Sequence, residues 1–266
     1  MIELVVAGAA GRMGGRIIAL ARESADLRVV AALERPGHPA LGRDAGELAG
    51  AGALGVPVTS DAAPALVRDR VLVEFTAPEA TLEHLRIAAA HGARAVIGTT
   101  GLAEAQQEEL RTLARRTAVV FSPNMSVGVN LAFRVLALMA RALGDDYDVE
   151  ITEIHHRMKK DAPSGTAARM AEVIAEGLGR DLGEVGVYGR HGLVGERGPK
   201  EVGIHALRGG DVVGEHTVVF STLGERLELT HRAHSRDTFA RGALRAIRFV
   251  AGVPPGLYSM HDVLVL

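Results

Sequence analysis

The fold is decided by residues 4–14, which read Leu4-Val5-Val6-Ala7-Gly8-Ala9-Ala10-Gly11-Arg12-Met13-Gly14. A continuous apolar run stops at Gly8, and apolar residues then recur at helical spacing from residue 11 to residue 22. This pattern predicts a buried strand, a tight turn and a helix. Residues 27–33 form a second apolar run, so the beginning of the chain predicts one βαβ unit.

The predicted turn carries three glycines in the spacing G-x-x-G-x-x-G, at positions 8, 11 and 14. Glycines at a strand-to-helix junction let a pyrophosphate approach the backbone N–H groups at the helix N-terminus. The common dinucleotide motif is G-x-G-x-x-G, so this spacing alone is a weak signal. Glu34 strengthens it, because a carboxylate at the end of the second strand accepts hydrogen bonds from the adenine-side ribose. The alternative is a purely structural turn with Glu34 as a solvated strand-end charge.

Strands and helices continue to alternate up to residue 121. Short apolar strands are predicted at 71–75, 93–97 and 118–121, and helical patterns separate them at 79–91 and 103–116. This alternation predicts an α/β domain with a Rossmann-like, doubly wound parallel sheet.

Two further loops follow strands of this predicted sheet. They are Gly98-Thr99-Thr100-Gly101 and Ser122-Pro123-Asn124-Met125. Because ligands of open α/β sheets lie at the carboxyl ends of the strands, both loops are candidates for the same binding site as the glycine turn. As ordinary turns they would have no function.

A second domain is predicted to begin near residue 127. A long apolar helix is expected at 127–143, a strand at 147–155 and a helix at 167–178. Three strands separated by Gly-rich turns follow between residues 202 and 232, which favours an antiparallel or mixed sheet in an α+β domain.

The last helical pattern, at 237–250, either closes the second sheet or packs back on the first domain, and we favour the return. The predicted division is therefore a dinucleotide-binding domain of residues 1–126 with 237–266, and a second domain of residues 127–236.

Composition excludes several functional classes. A net charge of -2 and a pI near 6.6 give no electrostatic footprint for nucleic acid. The absence of Cys excludes disulfides, thiolate metal sites and a cysteine nucleophile. The N-terminal residues lack the pattern of a signal peptide, and no run of eighteen apolar residues is present. We therefore expect a soluble cytoplasmic protein without a membrane partner.

The densest polar chemistry lies in residues 153–166, which read Glu-Ile-His-His-Arg-Met-Lys-Lys-Asp-Ala-Pro-Ser-Gly-Thr. The chain has 30 Lys and Arg residues, but only Lys159, Lys160 and Lys200 are Lys. Arg does not release its proton in a protein, whereas Lys can act as an acid or base. The segment therefore indicates proton transfer beside an anionic ligand.

A helix is predicted to begin at Ser164, which is a suitable N-cap residue after Pro163. Ala167 occupies the third helical position, so no capping box engages the first N–H groups. A substrate carboxylate can then be held by the amides of Gly165 and Thr166 and by the hydroxyls of Ser164 and Thr166. Three alternatives remain open: a metal site formed by the histidines with Glu153, a solvated charge pair formed by Lys159 and Lys160, and a surface connector.

These motifs together resemble the 4-hydroxy-tetrahydrodipicolinate reductase family. The resemblance covers nearly the whole chain, and the pattern His-His-Arg-x-Lys followed by Asp-Ala-Pro-Ser-Gly-Thr is highly specific. It also includes the glycine turn, residues 34–35, 75–78, 98–101 and 124–130, and Gly214-Glu215-His216-Thr217.

The resemblance implies roles for individual residues. The nicotinamide-cofactor positions are Gly8, Ala9, Ala10, Gly11, Arg12, Met13, Glu34, Arg35, Gly98, Thr99, Thr100, Ser122, Pro123, Asn124 and Met125. His155 and Lys159 match the proton-handling pair, and His156, Gly165 and Thr166 match substrate contacts. Met158 and Lys160 depart from the common pattern but replace no catalytic residue.

The resemblance further implies lysine and diaminopimelate biosynthesis, a cyclic dicarboxylate substrate and a homotetramer. It makes residues 127–236 the substrate-binding and oligomerisation domain. The expected cofactor is NADH, NADPH or both, since the acid Glu34 is followed at once by the base Arg35. A semialdehyde dehydrogenase has a similar domain order but needs a Cys nucleophile, which this chain lacks. A dinucleotide-sensing protein without turnover remains the non-enzymatic alternative.

Overall fold

The computed structural model describes residues 1–266, and the chain forms two compact units. Unit 1 comprises Met1–Val127 and Asp237–Leu266, and unit 2 comprises Gly128–Arg236. The second passage of the chain into unit 1 begins with one long helix, Asp237–Val250.

Unit 1 contains a seven-stranded parallel sheet. Its strands are β1 (Ile2–Ala7), β2 (Leu27–Leu33), β3 (Val58–Thr59), β4 (Val71–Glu74), β5 (Arg94–Ile97), β6 (Ala118–Phe121) and β12 (Gly256–Tyr258). Their order is β12-β6-β5-β4-β1-β2-β3, and every pairing is parallel. The predicted Rossmann-like fold is therefore confirmed.

Helices cover both faces of this sheet. They are α1 (Arg12–Arg22), α2 (Ala45–Leu48), α3 (Pro78–His91), α4 (Glu104–Ala114), α8 (Asp237–Val250) and α9 (Met260–Leu264). Leu4 and Val6 face one core with α1 and α8, whereas Val5 and Ala7 face the other core with α3 and α4. This burial on both faces explains why the strands are continuous apolar runs.

The strand order places a switch point at β1, which pairs with β2 on one side and β4 on the other. Because all seven strands are parallel, the loops that follow them lie at one edge of the sheet. The glycine turn follows β1, Glu34 follows β2, and residues 98–101 and 122–125 follow β5 and β6. One edge of unit 1 therefore carries the predicted cofactor positions.

Unit 2 contains a five-stranded mixed sheet. Its strands are β7 (Asp148–His155), β8 (Gly186–Tyr188), β9 (Val202–Arg208), β10 (Gly214–Thr222) and β11 (Glu225–Ala233), in the order β11-β10-β7-β9-β8. Strand β10 is antiparallel to β7 and β11, whereas β7, β8 and β9 run parallel. The predicted mixed sheet is confirmed.

Three helices accompany this sheet: α5 (Val127–Leu143), α6 (Gly165–Gly177) and the short α7 (Leu182–Val185). Buried side chains of α5 and α6, such as Leu136 and Ile174, join those of β7, β9 and β10 in one core. In β7 the buried positions alternate, so Val149, Ile151, Glu153 and His155 share the covered face.

Helix α5 also has the apolar character of a membrane segment. The stretch Val127–Asp146 is long and apolar enough to cross a membrane, and 33% of its most apolar window is buried. A core helix satisfies the same criteria, and Leu136 and Ala140 of α5 are fully buried. Length and composition therefore give only weak evidence for a membrane span.

The tight packing of the glycine turn predicts opposite effects for two adjacent glycines. A Cβ at Gly14 would overlap the Gly8 carbonyl oxygen and lie 2.9 Å from Ala9 Cα, so Gly14→Ala should destabilise the protein by about 1 to 3 kcal/mol. At Gly15 the nearest atoms are 3.9 Å away, so Gly15→Ala should stabilise helix α1 by roughly 0.5 to 1 kcal/mol. Urea unfolding of both variants without ligand measures the difference. Equal changes in the free energy of unfolding for the two variants would contradict this difference in packing.

Candidate active site

Glu34 lies against the glycine turn in unit 1. Its Oε1 accepts a hydrogen bond from the Ala10 amide at 3.0 Å, and its Oε2 accepts one from the Arg35 amide at 3.3 Å. The Ala9 amide donates to Leu33 O and the Gly11 amide to Gly8 O. These turn amides already have acceptors, so an anion would have to bind at the first turn of α1.

The start of α1 is suited to a phosphate group. Gly11 is its N-cap and provides no side-chain hydrogen bond, and no acidic residue lies in the first turn. Gly8 has a φ of 66°, which favours glycine, and Gly14 lies directly against the Gly8 carbonyl. A helix N-terminus with an open cap binds anions through its N–H groups and dipole.

The loops after β4 and β5 are joined through Thr99. Its side chain is buried, and its Oγ1 accepts hydrogen bonds from the Thr76 amide at 3.2 Å and from Thr81 Oγ1 at 2.8 Å. A Cβ at Gly98 would overlap the Phe75 ring. The Thr99 side chain therefore connects the loops after β4 and β5. Gly98 has no side chain, so the Phe75 ring can pack on its backbone.

The loop after β6 is stabilised by its own polar groups. Ser122 Oγ donates to Asn124 O at 2.7 Å, and Asn124 Oδ1 accepts from the Ser126 amide at 2.9 Å. The side chain of Met125 is 1% exposed and belongs to the core. A ligand contact at Met125 would therefore use its backbone.

The remaining cofactor positions differ in exposure. Ala9 is also a core residue, and Met13 is partly buried against that core. The cofactor positions with exposed side chains are Ala10, Arg12, Arg35, Thr100 and Pro123.

In unit 2, the carboxylate of Glu153 connects His155 with the start of α6. Glu153 is fully buried, and its Oε2 contacts His155 Nδ1 at 2.6 Å. Its Oε1 accepts a hydrogen bond from the Ser164 amide at 3.0 Å. Arg208 donates to both oxygens, from Nη1 to Oε2 at 2.9 Å and from Nη2 to Oε1 at 3.0 Å.

Strand register explains these contacts. Glu153 and His155 are two residues apart on β7 and therefore point to the same face. Arg208 is the partner of His155 on the parallel strand β9, and His216 is the partner of Glu153 on the antiparallel strand β10. The sheet thus brings together residues that are far apart in sequence.

Ser164 caps helix α6, as predicted. Its Oγ accepts a hydrogen bond from the Ala167 amide at 3.2 Å and lies 3.2 Å from His216 Nε2. The next residue, Gly165, is exposed, and a Cβ there would meet nothing within 4 Å. There is consequently open space beside Gly165, the first residue of α6, and the following Thr166 is half-buried.

Lys159 lies in the loop that follows β7, where its Nζ pairs with the Asp161 carboxylate at 2.8 and 2.9 Å. Arg208 Nη2 donates to the carbonyl oxygen of Asp161 at 2.6 Å, so the guanidinium joins this loop to Glu153. His156 is half-buried in the same loop, and its carbonyl accepts from the Lys159 amide.

Burial and charge set the ionisation states of this cluster. Burial alone would raise the pKa of Glu153, but hydrogen bonds from Arg208, His155 and the Ser164 amide bring it below its usual value. Burial lowers the pKa of His155, although the Glu153 carboxylate opposes this shift. Burial and the nearby His155 and His231 lower the pKa of His216 to about 4. At neutral pH an ionised Glu153 therefore faces neutral histidines.

Comparison with known proteins identifies the family. The model described as "Dihydrodipicolinate reductase, N-terminus" matches residues 2–125, and "Dihydrodipicolinate reductase, C-terminus" matches residues 128–264. The chain belongs to the dihydrodipicolinate reductase family. The resemblance inferred from the sequence motifs is confirmed.

Individual family members align with the chain over almost its whole length. It is 52% identical to a 4-hydroxy-tetrahydrodipicolinate reductase of Syntrophus aciditrophicus over 264 residues, covering 99% of this chain and 98% of the relative. It is 54% identical over 266 residues to one of Anaeromyxobacter dehalogenans strain 2CP-1, covering 100% and 98%.

Solved structures show the same fold. A dipicolinate-bound dihydrodipicolinate reductase from Paenisporosarcina sp. TG-14 is 26% identical with a TM-score of 0.79, covering 100% of both chains. GenD2 in complex with NAD has a TM-score of 0.59 at 13% identity, covering 99% of this chain and 90% of that one. At that identity the likeness concerns the fold alone.

Sequence reasoning missed several polar residues of this family member. No local pattern singles out Arg208 or Asp161, the sequence suggests Glu153 only as a metal ligand, and His216 occurs only within a motif of the family. In unit 1, the fully buried Glu74 contacts Thr76 Oγ1 and pairs with His84 Nδ1 at 2.7 Å. Glu74 ends an apolar strand run, and that position was the available signal for it.

Because His216 is buried, we expect the free energy of unfolding of this protein to fall in acid. Its folded-state pKa of about 4 lies below the unfolded value near 6.5, so the unfolded state takes up the proton first as pH falls. Proton uptake at His216 in the unfolded state should lower the free energy of unfolding by about 3 kcal/mol as the pH falls from 7.5 to 4.

Urea unfolding of wild type and His216→Gln over this pH range isolates that contribution. The difference in unfolding free energy should shrink as pH falls, because the variant lacks the buried imidazole. His191→Gln alters an exposed histidine of the same unit and should follow the wild-type curve. A constant difference between wild type and His216→Gln would exclude the predicted proton linkage.

Proposed function

We propose that this chain reduces 4-hydroxy-tetrahydrodipicolinate to tetrahydrodipicolinate with loss of water, using NADH or NADPH, in lysine and diaminopimelate biosynthesis. The observation that supports it most is the cluster in unit 2, where Glu153 contacts both His155 and the start of α6. Arg208 links this carboxylate to the carbonyl of Asp161, whose side chain pairs with Lys159. Membership of the family supports the choice of substrate.

The substrate carboxylates require positive partners. A carboxylate at the open start of α6 would accept hydrogen bonds from the amides of Gly165 and Thr166, and the helix dipole favours that negative charge. The hydroxyl of Thr166 and the ring of His156 are the further proposed contacts. Ser164 holds the helix start in place through the Ala167 amide.

Loss of water leaves a conjugated cyclic imine, and addition of the hydride to this imine gives an enamine. We assign protonation of the enamine carbon to Lys159, with His155 as its partner. The ammonium of Lys159 is charged when it pairs with Asp161, so it carries a proton that it can donate. A neutral His155 has one ring nitrogen available as an acceptor. The pairing of Lys159 with Asp161 and the lowered pKa of His155 support these two proposed roles.

The cofactor residues of unit 1 fit a dinucleotide. The glycine turn leaves the start of α1 open to a phosphate group, and Glu34 is fixed beside that turn by the Ala10 amide. A bound nicotinamide dinucleotide supplies the hydride. The loops at 98–100 and 122–125 are proposed to contact it from the neighbouring strands.

Removal of either proton-handling side chain should abolish most turnover. We expect Lys159→Ala and His155→Ala each to lower kcat by roughly 10²-fold or more, because general acid or base assistance is lost. Lys160→Ala removes an exposed lysine from the same loop and is the matched control, with kcat close to wild type. The assay follows nicotinamide oxidation with freshly generated substrate.

Two outcomes would contradict this assignment. Near-normal kcat in both variants would remove the proton-transfer role from this pair. Failure of the wild type to oxidise either cofactor, while still binding it, would favour the alternative of a dinucleotide-sensing protein.

The adjacent charges of Glu34 and Arg35 predict how the two cofactors are distinguished. Arg35→Ala should weaken the binding of NADPH more than the binding of NADH, because it removes a cation that pairs with the 2′-phosphate. Glu34→Ala should weaken NADH and spare or improve NADPH. Each change should be on the order of 1 to 3 kcal/mol.

Dissociation constants at fixed ionic strength measure these effects. Arg22→Ala, which removes an exposed arginine at the end of α1, controls for the loss of a positive charge. If each variant loses the same affinity for NADH as for NADPH, neither side chain distinguishes the 2′ position.

The resemblance to the family also leads us to propose a cytoplasmic homotetramer, assembled through the sheet of unit 2. Light scattering coupled to gel filtration determines the oligomeric mass, and a monomeric mass at assay concentrations would exclude the tetramer.

A further inference from the structure

We propose that Glu153 is a positioning residue that sets the tautomer of His155 and holds the anion-binding start of helix α6. This inference rests on the proposed function for its catalytic meaning, but its structural content can be tested separately. It follows from the number and kind of groups that meet at one buried carboxylate.

The contacts of Glu153 leave it only the role of an acceptor. Arg208 donates two hydrogen bonds to it and the Ser164 amide donates one, so the carboxylate is ionised. An ionised carboxylate has no proton to donate, and it lies 2.6 Å from His155 Nδ1. His155 must therefore carry its proton on Nδ1, which leaves Nε2 as the basic nitrogen of the neutral ring.

The charged and titratable groups around His155 support this state. They are Glu153 on its own strand, Arg208 on β9, His216 on β10 and Lys159 in the following loop. Arg208 balances the charge of Glu153, so the ring does not need to be protonated for the pair to be stable. Burial also lowers the pKa of His155.

Gly214 leaves room for the ring near its Nε2. A Cβ at Gly214 would lie 2.9 Å from His155 Nε2, closer than real contacts allow. The ring therefore occupies space that a side chain at position 214 would need. Glu153 sets the hydrogen bonding of the imidazole, and the missing side chain at position 214 permits its placement.

The same carboxylate organises the substrate-binding side of the cluster. Through the Ser164 amide it holds the N-cap of α6, from which the proposed carboxylate-binding amides follow. Through Arg208 it is linked to the carbonyl of Asp161, whose side chain pairs with Lys159. Loss of the carboxylate should therefore change the tautomer of His155 and the affinity for substrate together.

Glu153→Gln tests this role with little change in shape. A glutamine has one acceptor oxygen, so its NH₂ group must face a donor among the groups that contact Glu153. Glu150→Gln is the matched control, because Glu150 is also on β7 and accepts from Arg190, Arg197 and His205, away from this cluster.

The first measurement is the ¹⁵N NMR spectrum of histidine-labelled protein at pH 7.5. We expect His155 in the wild type and in Glu150→Gln to be neutral with its proton on Nδ1. In Glu153→Gln the Nε2–H tautomer should become the major form, and the pKa of His155 should fall because the carboxylate that raises it is gone. A wild-type His155 protonated on Nε2 would overturn the proposal even if the variant does not fold.

The second measurement is steady-state kinetics. Glu153→Gln should lower kcat at least tenfold and raise KM for the dicarboxylate several-fold, with NADH affinity within twofold of wild type. Glu150→Gln should remain within twofold for all three quantities. Unchanged kcat and KM in a folded Glu153→Gln would contradict the positioning role. Absence of turnover in the wild type would instead refute the proposed function, and the tautomer would still decide the role of Glu153.

Discussion

A buried carboxylate, that of Glu153, is the constraint on which the chemistry of unit 2 depends. A charge with no exposed surface is stable only when every lone pair has a donor, and here Arg208, His155 and the Ser164 amide provide them. This requirement fixes three different elements, β7, β9 and the start of α6, relative to one another. The proposed catalytic residues are thereby positioned by the hydrogen bonds that one buried anion requires.

A different constraint organises unit 1. Its strands are all parallel and buried on both faces, so only their ends are open to a ligand. Short polar contacts then order the loops at the carboxyl edge: Glu34 with Ala10, Thr99 with Thr76, and Ser122 with Asn124. The proposed dinucleotide site is therefore part of the sheet architecture.

Much of this architecture was predictable from the sequence. Helices α5 and α8 and strands β2 and β6 begin and end where the periodicity predicts, because each has enough residues to show a pattern. Strands β3, β8 and β12 have two or three residues and no period, so only their sheet partners define them.

The site was predicted less completely than the fold. The local motifs indicated His155, Lys159 and the N-cap Ser164, because they lie within one segment. Arg208 and His216 contact that segment through strand register, across sequence separations that no local motif reveals. Likewise, the bond from the Ala10 amide to Glu34 depends on how the turn folds against β2.

The central claim is that the segment around Glu153 and the start of α6 binds the dicarboxylate substrate. A crystal structure of this protein with dipicolinate, the ligand in the Paenisporosarcina relative, tests it most directly. We expect one carboxylate within hydrogen-bond distance of the Gly165 and Thr166 amides, with the contacts of Glu153 to His155 and Ser164 retained. Dipicolinate well ordered on other residues, with the start of α6 uncontacted, would contradict it.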